Sequence, residues 1–319
     1  MHLHIISNAD PTTFNNSHIA SYRLRLSYLY DAAIQLGYKV TGGLKINNQA
    51  DIYYIGKVTG DKVNIIHENI KELRKNRKRI LVDYTDNILH YKGDESRKAI
   101  YEELIQLQSF VTVPVEGLAE YFKKRGKRVF VIPDGIDKIP NINPNSKNNE
   151  EKNILWHGHN TNINSLIRII NNELGNYIFN LHIVSNHLSF EILKQIKFKK
   201  LPKCKPIAHL WSIQKLASVS AKCDFAILPT DKKWASANRL ITNFRLGLPS
   251  IAETISSYKK YSNFYAEFDK KNIIEMFNSP ESWYQSVIVA QKKITEDFDQ
   301  EKLTNLWKGI LNNNLKHYN

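Results

Sequence analysis

The sequence predicts an α/β protein of two domains, each with a mainly parallel sheet covered on both faces, followed by a helical C-terminal tail. Three observations carry that expectation. Short, largely apolar strand-like runs alternate with helix-length stretches, the pattern of parallel strands buried on both sides. The alternation stops once, at Pro140–Glu151 (PNINPNSKNNEE), which is rich in Asn, Pro and charge and nearly devoid of apolar side chains, and it restarts at Asn153. The length, 319 residues, is large for one core and suits two domains of about 150 residues each.

In the first half, Leu3–Ser7 is a short apolar strand and Asn8–Asn16 (NADPTTFNN) a polar loop. A helix is expected from about Ser17 to Leu36, because Ile19, Tyr22, Leu26, Leu29, Ala33 and Leu36 recur at helical spacing. Gly37 suits the position just past its end. Tyr38–Val40 opens the next strand, and Asp51–Ile55 and Val63–Ile66 are strand candidates. Glu68–Arg79 reads as a charged helix and Ile80–Asp83 (ILVD) as an apolar strand ending in a carboxylate. Helices at Glu95–Gln108 and Val115–Arg125 alternate with strands at Phe110–Val113 and Arg128–Ile132.

After the break, Asn153–Trp156 is a strand, followed by His157-Gly158-His159-Asn160 and a helix from about Asn162 to Asn172. Phe179–Val184 is a strand, Leu188–Ile196 a helix, His209–Ala221 an amphipathic helix and Asp224–Leu228 a strand. Tail helices are expected near Lys271–Met276, Pro280–Thr295 and Gln300–Asn313. The domains predicted are residues 1–139 and 153–299, with 140–152 as linker and the helix at about 300–319 returning to the first domain.

The formal net charge of +14 favours an anionic partner. Basic residues cluster at Lys71–Arg79, Lys123–Arg128 and Lys197–Lys205. Nucleic acid, anionic lipid headgroups and anionic small molecules all suit such a surface. Nucleic acid is the weakest of the three, since the clusters carry few interleaved aromatics and belong to no recognised module. Cys204 and Cys223 have no metal-ligand spacing and read as reduced thiols of a cytosolic protein. No apolar run reaches the ~18 residues of a membrane span. The N-terminus, MHLHIISNADP, reads as a first strand and not as a signal peptide.

The most informative stretch is Trp234–Glu253 (WASANRLITNFRLGLPSIAE). It follows the strand-like Asp224–Pro229 (DFAILP), holds a helix from about Asn238 to Leu246, and ends in Gly247-Leu248-Pro249 before a new apolar run, which makes one βαβ unit. Ser236, Asn238 and Arg239 gather at the N-terminus of its helix. Backbone N–H groups and the helix dipole favour a phosphate there, and the guanidinium adds a fork matched to its oxygens.

These stretches together resemble the GT-B glycosyltransferases. Val131–Asp137 (VIPDGID) is similar to the VIPNGID segment that closes their N-terminal domain, and Ile154–His159 (ILWHGH) to the first strand and Gly turn of their nucleotide-sugar domain. Leu216–Pro229 (LASVSAKCDFAILP) resembles their helix leading into an aDv-lP strand, and Asn238–Ala252 (NRLITNFRLGLPSIA) their donor-site helix ending in G-x-P. Ser21–Arg25 with Leu36-Gly37-Tyr38 is similar to their first helix. The resemblance implies two Rossmann-like domains facing each other across a cleft.

It also implies roles. The donor diphosphate would meet Gly158 at the turn and Arg239, which stands eight positions before Gly247 where many members carry Lys or Arg. His157, His159, Asn160, Ser236, Asn238 and Thr242 are the other donor-side candidates. Where members carry the two carboxylates of an E-x7-E pair, this chain has Trp234 and Thr242. Ribose recognition then differs, or the donor is unusual, such as a CMP-linked acidic sugar, or the chain is a catalytically silent nucleotide- or glycan-binding protein. On the acceptor side, Asn8 and Arg23 are binding candidates. Asp10 and Asp86 are candidate bases for an inverting reaction, with loop capping as the alternative for either. The H-x-H at 157–159 lacks further ligands for zinc, and neither metal nor cofactor is expected beyond the nucleotide sugar as substrate. The function expected is transfer of a sugar to a glycan or lipid-linked acceptor in bacterial surface-polysaccharide assembly, in the cytoplasm and peripheral on the inner membrane.

Overall fold

A computed structural model describes residues 1–7, 9–17, 19–56, 63–76, 78–85, 95–107, 110–137, 139–147, 149, 151–186, 204–232 and 234–316. The chain divides into two compact units, Met1–Asp137 with Phe298–Asn319, and Lys138–Asp297.

The first unit begins with β1 (His2–Ile6), buried throughout. Pro11–Asn16 then makes a 3-10 turn, Tyr22–Leu26 a π-helical turn, and Ser27–Gln35 the α-helix α1. The single regular helix expected over 17–36 is therefore interrupted. The π turn buries Tyr22, Leu24, Arg25 and Leu26. Gly37, at φ +74°, closes the helix. β2 (Lys39–Gly43) and β3 (Ile52–Ile55) pair in parallel with the two sides of β1.

Val63–Ile66 is not a strand. It opens α2 (Val63–Lys75), with Ile66, Ile70 and Leu73 buried at helical spacing. That helix also stops before Arg79, because Arg79 opens β4 (Arg79–Val82) opposite Ile52. α3 (Glu95–Leu107), β5 (Phe110–Val113), α4 (Glu116–Lys123) and β6 (Arg128–Val131) follow. The sheet order is β2-β1-β3-β4, a second parallel pair is β5-β6, and one bridge, Asp83 to Thr112, joins β4 to β5.

The second unit is a six-stranded sheet. β7 (Lys152–His157), α5 (Ile163–Ile169), β8 (Phe179–Ser185) and β9 (Cys204–Leu210) lead to α6 (Ile213–Ser220). The helix expected from His209 thus begins four residues later, where the Ser212 hydroxyl accepts from Lys215 N–H. His209 and Leu210 instead finish a strand paired with β8 along its length. The helix expected at Leu188–Ile196 lies outside the described residues. β10 (Phe225–Leu228), α7 (Asn238–Arg245), β11 (Ser250–Ala252), β12 (Ala266–Glu267), α8 (Lys270–Asn278) and α9 (Tyr284–Asp297) complete the unit.

Its strand order is β12-β11-β10-β7-β8-β9, every pair parallel. The chain runs outward from β7 to β8 and β9, then returns to place β10 on the other side of β7. That reversal is a topological switch point, and ligands of open parallel sheets bind at the C-terminal strand ends beside it. The described part of Pro140–Glu151 holds no helix or strand, yet Ile142 N–H donates to Arg245 O at 2.7 Å and the Gln291 amide donates to Ile142 O and Phe244 O.

The last helix, α10 (Gln300–Lys316), belongs to the first unit. Leu303, Trp307, Ile310 and Leu311 enter the cluster formed by Leu3, Ile5, Leu29, Tyr54 and Leu81. A buried side chain of this size contributes about 1.5–3 kcal/mol.

Candidate functional site

The switch point of the second unit lies between the ends of β7 and β10. β7 ends in Ile154, Leu155, Trp156 and His157, all buried, so the strand is fixed before its turn. His157 Nε2 stands 2.9 Å from Asn243 Oδ1, and the Asn243 amide donates to Ser250 Oγ at 3.2 Å. The histidine, a donor-side candidate from sequence, thus ties β7 to α7 and β11 and holds the frame of the site.

Gly158 follows. Its N–H donates to Val184 O at 3.1 Å and its carbonyl accepts from Ser185 Oγ at 2.5 Å. A Cβ here would meet the Trp156 ring at 3.2 Å and Arg239 Nη1 at 3.5 Å. Gly158 and Arg239, far apart in sequence, are therefore neighbours across the switch point. Arg239 is the second residue of α7. Its Nη2 donates to Pro229 O, just past β10, at 3.3 Å. Its Nη1 is buried and has no hydrogen-bond partner among the described residues.

An unpartnered buried donor costs about 1–3 kcal/mol, more when charged, so such groups ask for an explanation. Tyr258 deepens the point. It is fully buried and its hydroxyl is also without a hydrogen-bond partner among the described residues. Burial pushes its pKa up, and the adjacent Arg239 guanidinium opposes that rise, through its charge first and then through side-chain hydrogen bonding toward the hydroxyl. Trp156 Nε1 and Asn160 Oδ1 are unpartnered as well. A glycine turn, a helix N-terminus and an unspent guanidinium N–H together match what an oxyanion needs.

The other donor-side candidates divide. His159 is exposed and caps the turn Asn160–Asn162, its Nδ1 accepting from Thr161 N–H at 3.3 Å. With His157 turned to Asn243 and His159 to Thr161, the H-x-H does not converge on one point. Asn160 N–H donates to Asn186 Oδ1 at 3.1 Å. Ser236 lies in the loop before α7, and Asn238 is that helix's first residue. Thr242 is buried inside α7, at 8% exposure. Two groups at this end of the sheet went unnoticed in the sequence, Tyr258 and Glu253. Glu253 follows β11, accepts Thr230 N–H at 2.5 Å and pairs with Arg168 at 2.7 Å. The only signal for them was a polar run after G-x-P.

In the first unit, Asp10 caps the 3-10 turn. Its Oδ1 accepts from Thr12 N–H at 2.8 Å and Thr12 Oγ1 at 2.5 Å, and these bonds, the hydroxyl's first, hold its carboxyl below the usual range. The capping alternative is what the side chain does here. Asn8 and Asp86 lie outside the described residues. Arg23 pairs with Asp137, Nε to Oδ1 at 2.6 Å, and donates to Ser17 O at 2.7 Å.

Arg25, which the sequence did not single out, is the buried centre of this unit. It is 1% exposed and makes a two-pronged pair with Asp83, 2.7 and 2.5 Å, plus bonds to Ile132 O and Asp134. Burial alone would pull its pKa down; Asp83 and Asp134 outweigh that and raise it, so the charge is fixed. Asp83 also accepts from the Tyr54 hydroxyl at 2.7 Å and the Thr112 hydroxyl at 2.6 Å. Both Asp residues of VIPDGID therefore dock onto the two Arg residues of the first helix. Gly135 lies so close to Tyr28 that a Cβ would stand 2.0 Å from its ring.

Among the described residues no helix is long and apolar enough to cross a membrane. No family model matches the sequence, and no curated protein matches it either. Solved structures do. A sucrose-phosphate synthase from Thermosynechococcus elongatus aligns over 100% of both chains at 11% identity with a TM-score of 0.70. HepE from Anabaena, in complex with UDP-glucose, aligns over 98% of this chain and 100% of its own at 11% identity, TM-score 0.65. A glycosyltransferase from Rickettsia africae aligns over 99% of each at 12% identity, TM-score 0.59. The chain spans about half of TarM, 54% of that chain, at TM-score 0.54. At such identities the likeness concerns architecture, and on that ground this chain has the fold of the GT-B glycosyltransferases.

Proposed function

We propose that this protein is a glycosyltransferase that takes its sugar from a nucleotide-sugar donor held at the switch point of the second unit. The observation that carries the reading is the closeness of Gly158 to Arg239, whose buried Nη1 has no partner among the described residues. A diphosphate placed there would approach the Gly158 backbone closely and accept from the Arg239 guanidinium. When the glycosidic bond to the donor breaks, negative charge grows on the leaving phosphate oxygen. A preset cation offsets that charge more strongly in the transition state than in the ground state. Ser236 and Asn238, at the mouth of α7, are the candidates for further phosphate or sugar contacts, and Tyr258 joins them. The binding of UDP-glucose by HepE supports a donor of this class.

Within this reading the acceptor is a glycan or lipid-linked sugar of bacterial surface polysaccharide, met by the first unit, and the basic surface favours work beside an anionic membrane. Deprotonation of the acceptor falls to Asp86 or Asp10. The bonds of Asp10 to Thr12 stabilise its charged form, which weakens it as a base. One observation favours a donor other than a common UDP- or GDP-hexose. Trp234 and Thr242 replace the expected carboxylates, and Thr242 is buried. A CMP-linked acidic sugar is the variant reading, and a silent binding protein the reading from another class.

Calorimetry of the intact protein with UDP-, GDP-, CMP- and ADP-sugars tests all three. Binding of one donor with turnover to free nucleotide supports the transferase. Binding without turnover, to any acceptor mixture tried, leaves the silent form. No binding of any donor sinks the proposal.

A further inference from the structure

The second unit has a cavity, of about 520 Å³, at the opposite end of its sheet from Gly158. Asn153 is the second residue of β7 and His157 the last, so the cavity and the switch point stand about 13 Å apart along the strand. Register places Asn153 beside Asn180 and Asn180 beside Lys205, a polar row across β7, β8 and β9. His182 lies two residues along β8 from Asn180, hence on the same face, and it too lines the cavity. Lys147 enters from the segment ahead of β7, and Lys222 from just past the end of α6.

Three lysines from three separate parts of the chain thus line one opening. None of the three forms an ion pair with a carboxylate among the described residues, although Lys147 Nζ donates to Asn145 Oδ1. The carboxylate in this region, Asp224, is 3% exposed and already engaged by Asn153 N–H at 2.8 Å, the Asn149 amide at 3.1 Å and Lys152 at 3.9 Å. The local field is positive enough to reach the neighbouring histidines. His182 and His209 stack with ring centroids 5.3 Å apart, and both have pKa values lowered, first by burial and then by surrounding charge that includes Lys222. Convergent like charges repel unless an anion joins them, and amide side chains supply the neutral donors that complete a phosphate shell.

We infer that the cavity formed by Lys147, Asn180, Lys205 and Lys222 is a second anion site, built for the phosphoryl group of a small phosphorylated ligand and separate from the Arg239 site. Its volume exceeds that of inorganic phosphate and falls in the usual range for small-molecule pockets, about 300–1,000 Å³. It also gives a use to Lys205, the described end of a basic cluster that the fold does not otherwise explain. The phosphoryl group belongs either to a soluble metabolite or to a lipid headgroup.

The test uses full-length Arg239→Ala protein, so that the switch point contributes no competing site, with folding checked by circular dichroism. Inorganic pyrophosphate is titrated by calorimetry, and sedimentation is measured with phosphatidylcholine vesicles containing phosphatidic acid, both at physiological salt. Pyrophosphate binding that weakens at least tenfold in Lys205→Ala/Lys222→Ala, and not in the charge-matched control Lys271→Ala/Lys292→Ala, supports a soluble ligand. Vesicle binding with the same variant dependence supports a headgroup. Binding to neither, or equal loss in both double variants, overturns the site. Because the background lacks Arg239, failure here says nothing against the donor site, and failure of the donor panel says nothing against this one.

Discussion

The Nη1 of Arg239 lies 3.5 Å from the point where Gly158 would carry a Cβ, so the helix that follows β10 places its guanidinium against the turn that follows β7. Both groups are needed in this geometry, one for charge and one for the absence of a side chain. Arg239→Ala is expected to weaken nucleotide-sugar binding by the worth of a charged hydrogen bond, about 1.5–3 kcal/mol, or roughly 10- to 150-fold. Arg239→Lys should fall between, because a point charge replaces a fork. Gly158→Val should abolish binding while the second unit still folds. Calorimetry beside circular dichroism checks the set, and an unchanged affinity in Arg239→Ala would remove the residue from the site.

Arg25 and Asp83 are 1% and 0% exposed, and each is the other's main counter-charge. Removing one strands the other in the interior, which costs about 3–5 kcal/mol. Urea unfolding of Asp83→Asn and Arg25→Met should show losses of that order. The double variant Arg25→Met/Asp83→Leu should recover part of the loss, since an apolar replacement of a buried pair is often neutral. Single-variant losses below about 1 kcal/mol would show that the network is not what holds VIPDGID to the first helix.

Gly247 has φ +75°, and a Cβ there would stand 2.5 Å from Ile142 O. Gly247→Ala therefore meets both backbone strain and a backbone atom that does not yield. The expected cost is more than about 1 kcal/mol, read as a lower melting temperature of the second unit. A neutral result would mean that residues 142–144 move aside freely.

Four histidines, His2, His4, His182 and His209, have pKa values below the ordinary 6.5, each chiefly through burial. The folded chain binds fewer protons than the unfolded one just below that pH, so stability rises with pH there. It should be level above about pH 6.5 and decline as pH falls through the lowered folded values. Unfolding measured at pH 7.5 and 5.5 tests the sign, and His182→Asn/His209→Gln should flatten the slope.

Much of this was legible in the sequence, because apolar runs such as ILVD and DFAILP are strands whatever surrounds them, and G-x-P marks the end of a donor-type helix. Gly158 and Arg239 were legible for the same reason, each sitting at a strand or helix boundary. Arg25 was not, since a charged residue in a helix-like run reads as exposed, and the carboxylates that let it be buried, Asp83 and Asp134, come from distant parts of the chain. β9 was missed because Lys205 and His209 disguise its pairing with β8 as a basic patch and a helix start. Tyr258 was missed because its importance lies in what its hydroxyl lacks, which no local pattern encodes.

The division of the chain has a consequence for the order in which the protein is made. Residues 138–297 interrupt the first unit, whose core needs Leu303, Trp307 and Leu311. A growing chain emerges N-terminus first, so the second unit can close its sheet while the first still lacks its last helix. Until α10 is synthesised, the surface that Trp307 covers, including the Tyr54 ring it meets at 6.3 Å, stays open to solvent and to other chains. The strands of the first unit leave the ribosome well before the helix that secures them, and loss of α10 should appear first as poor yield of folded protein.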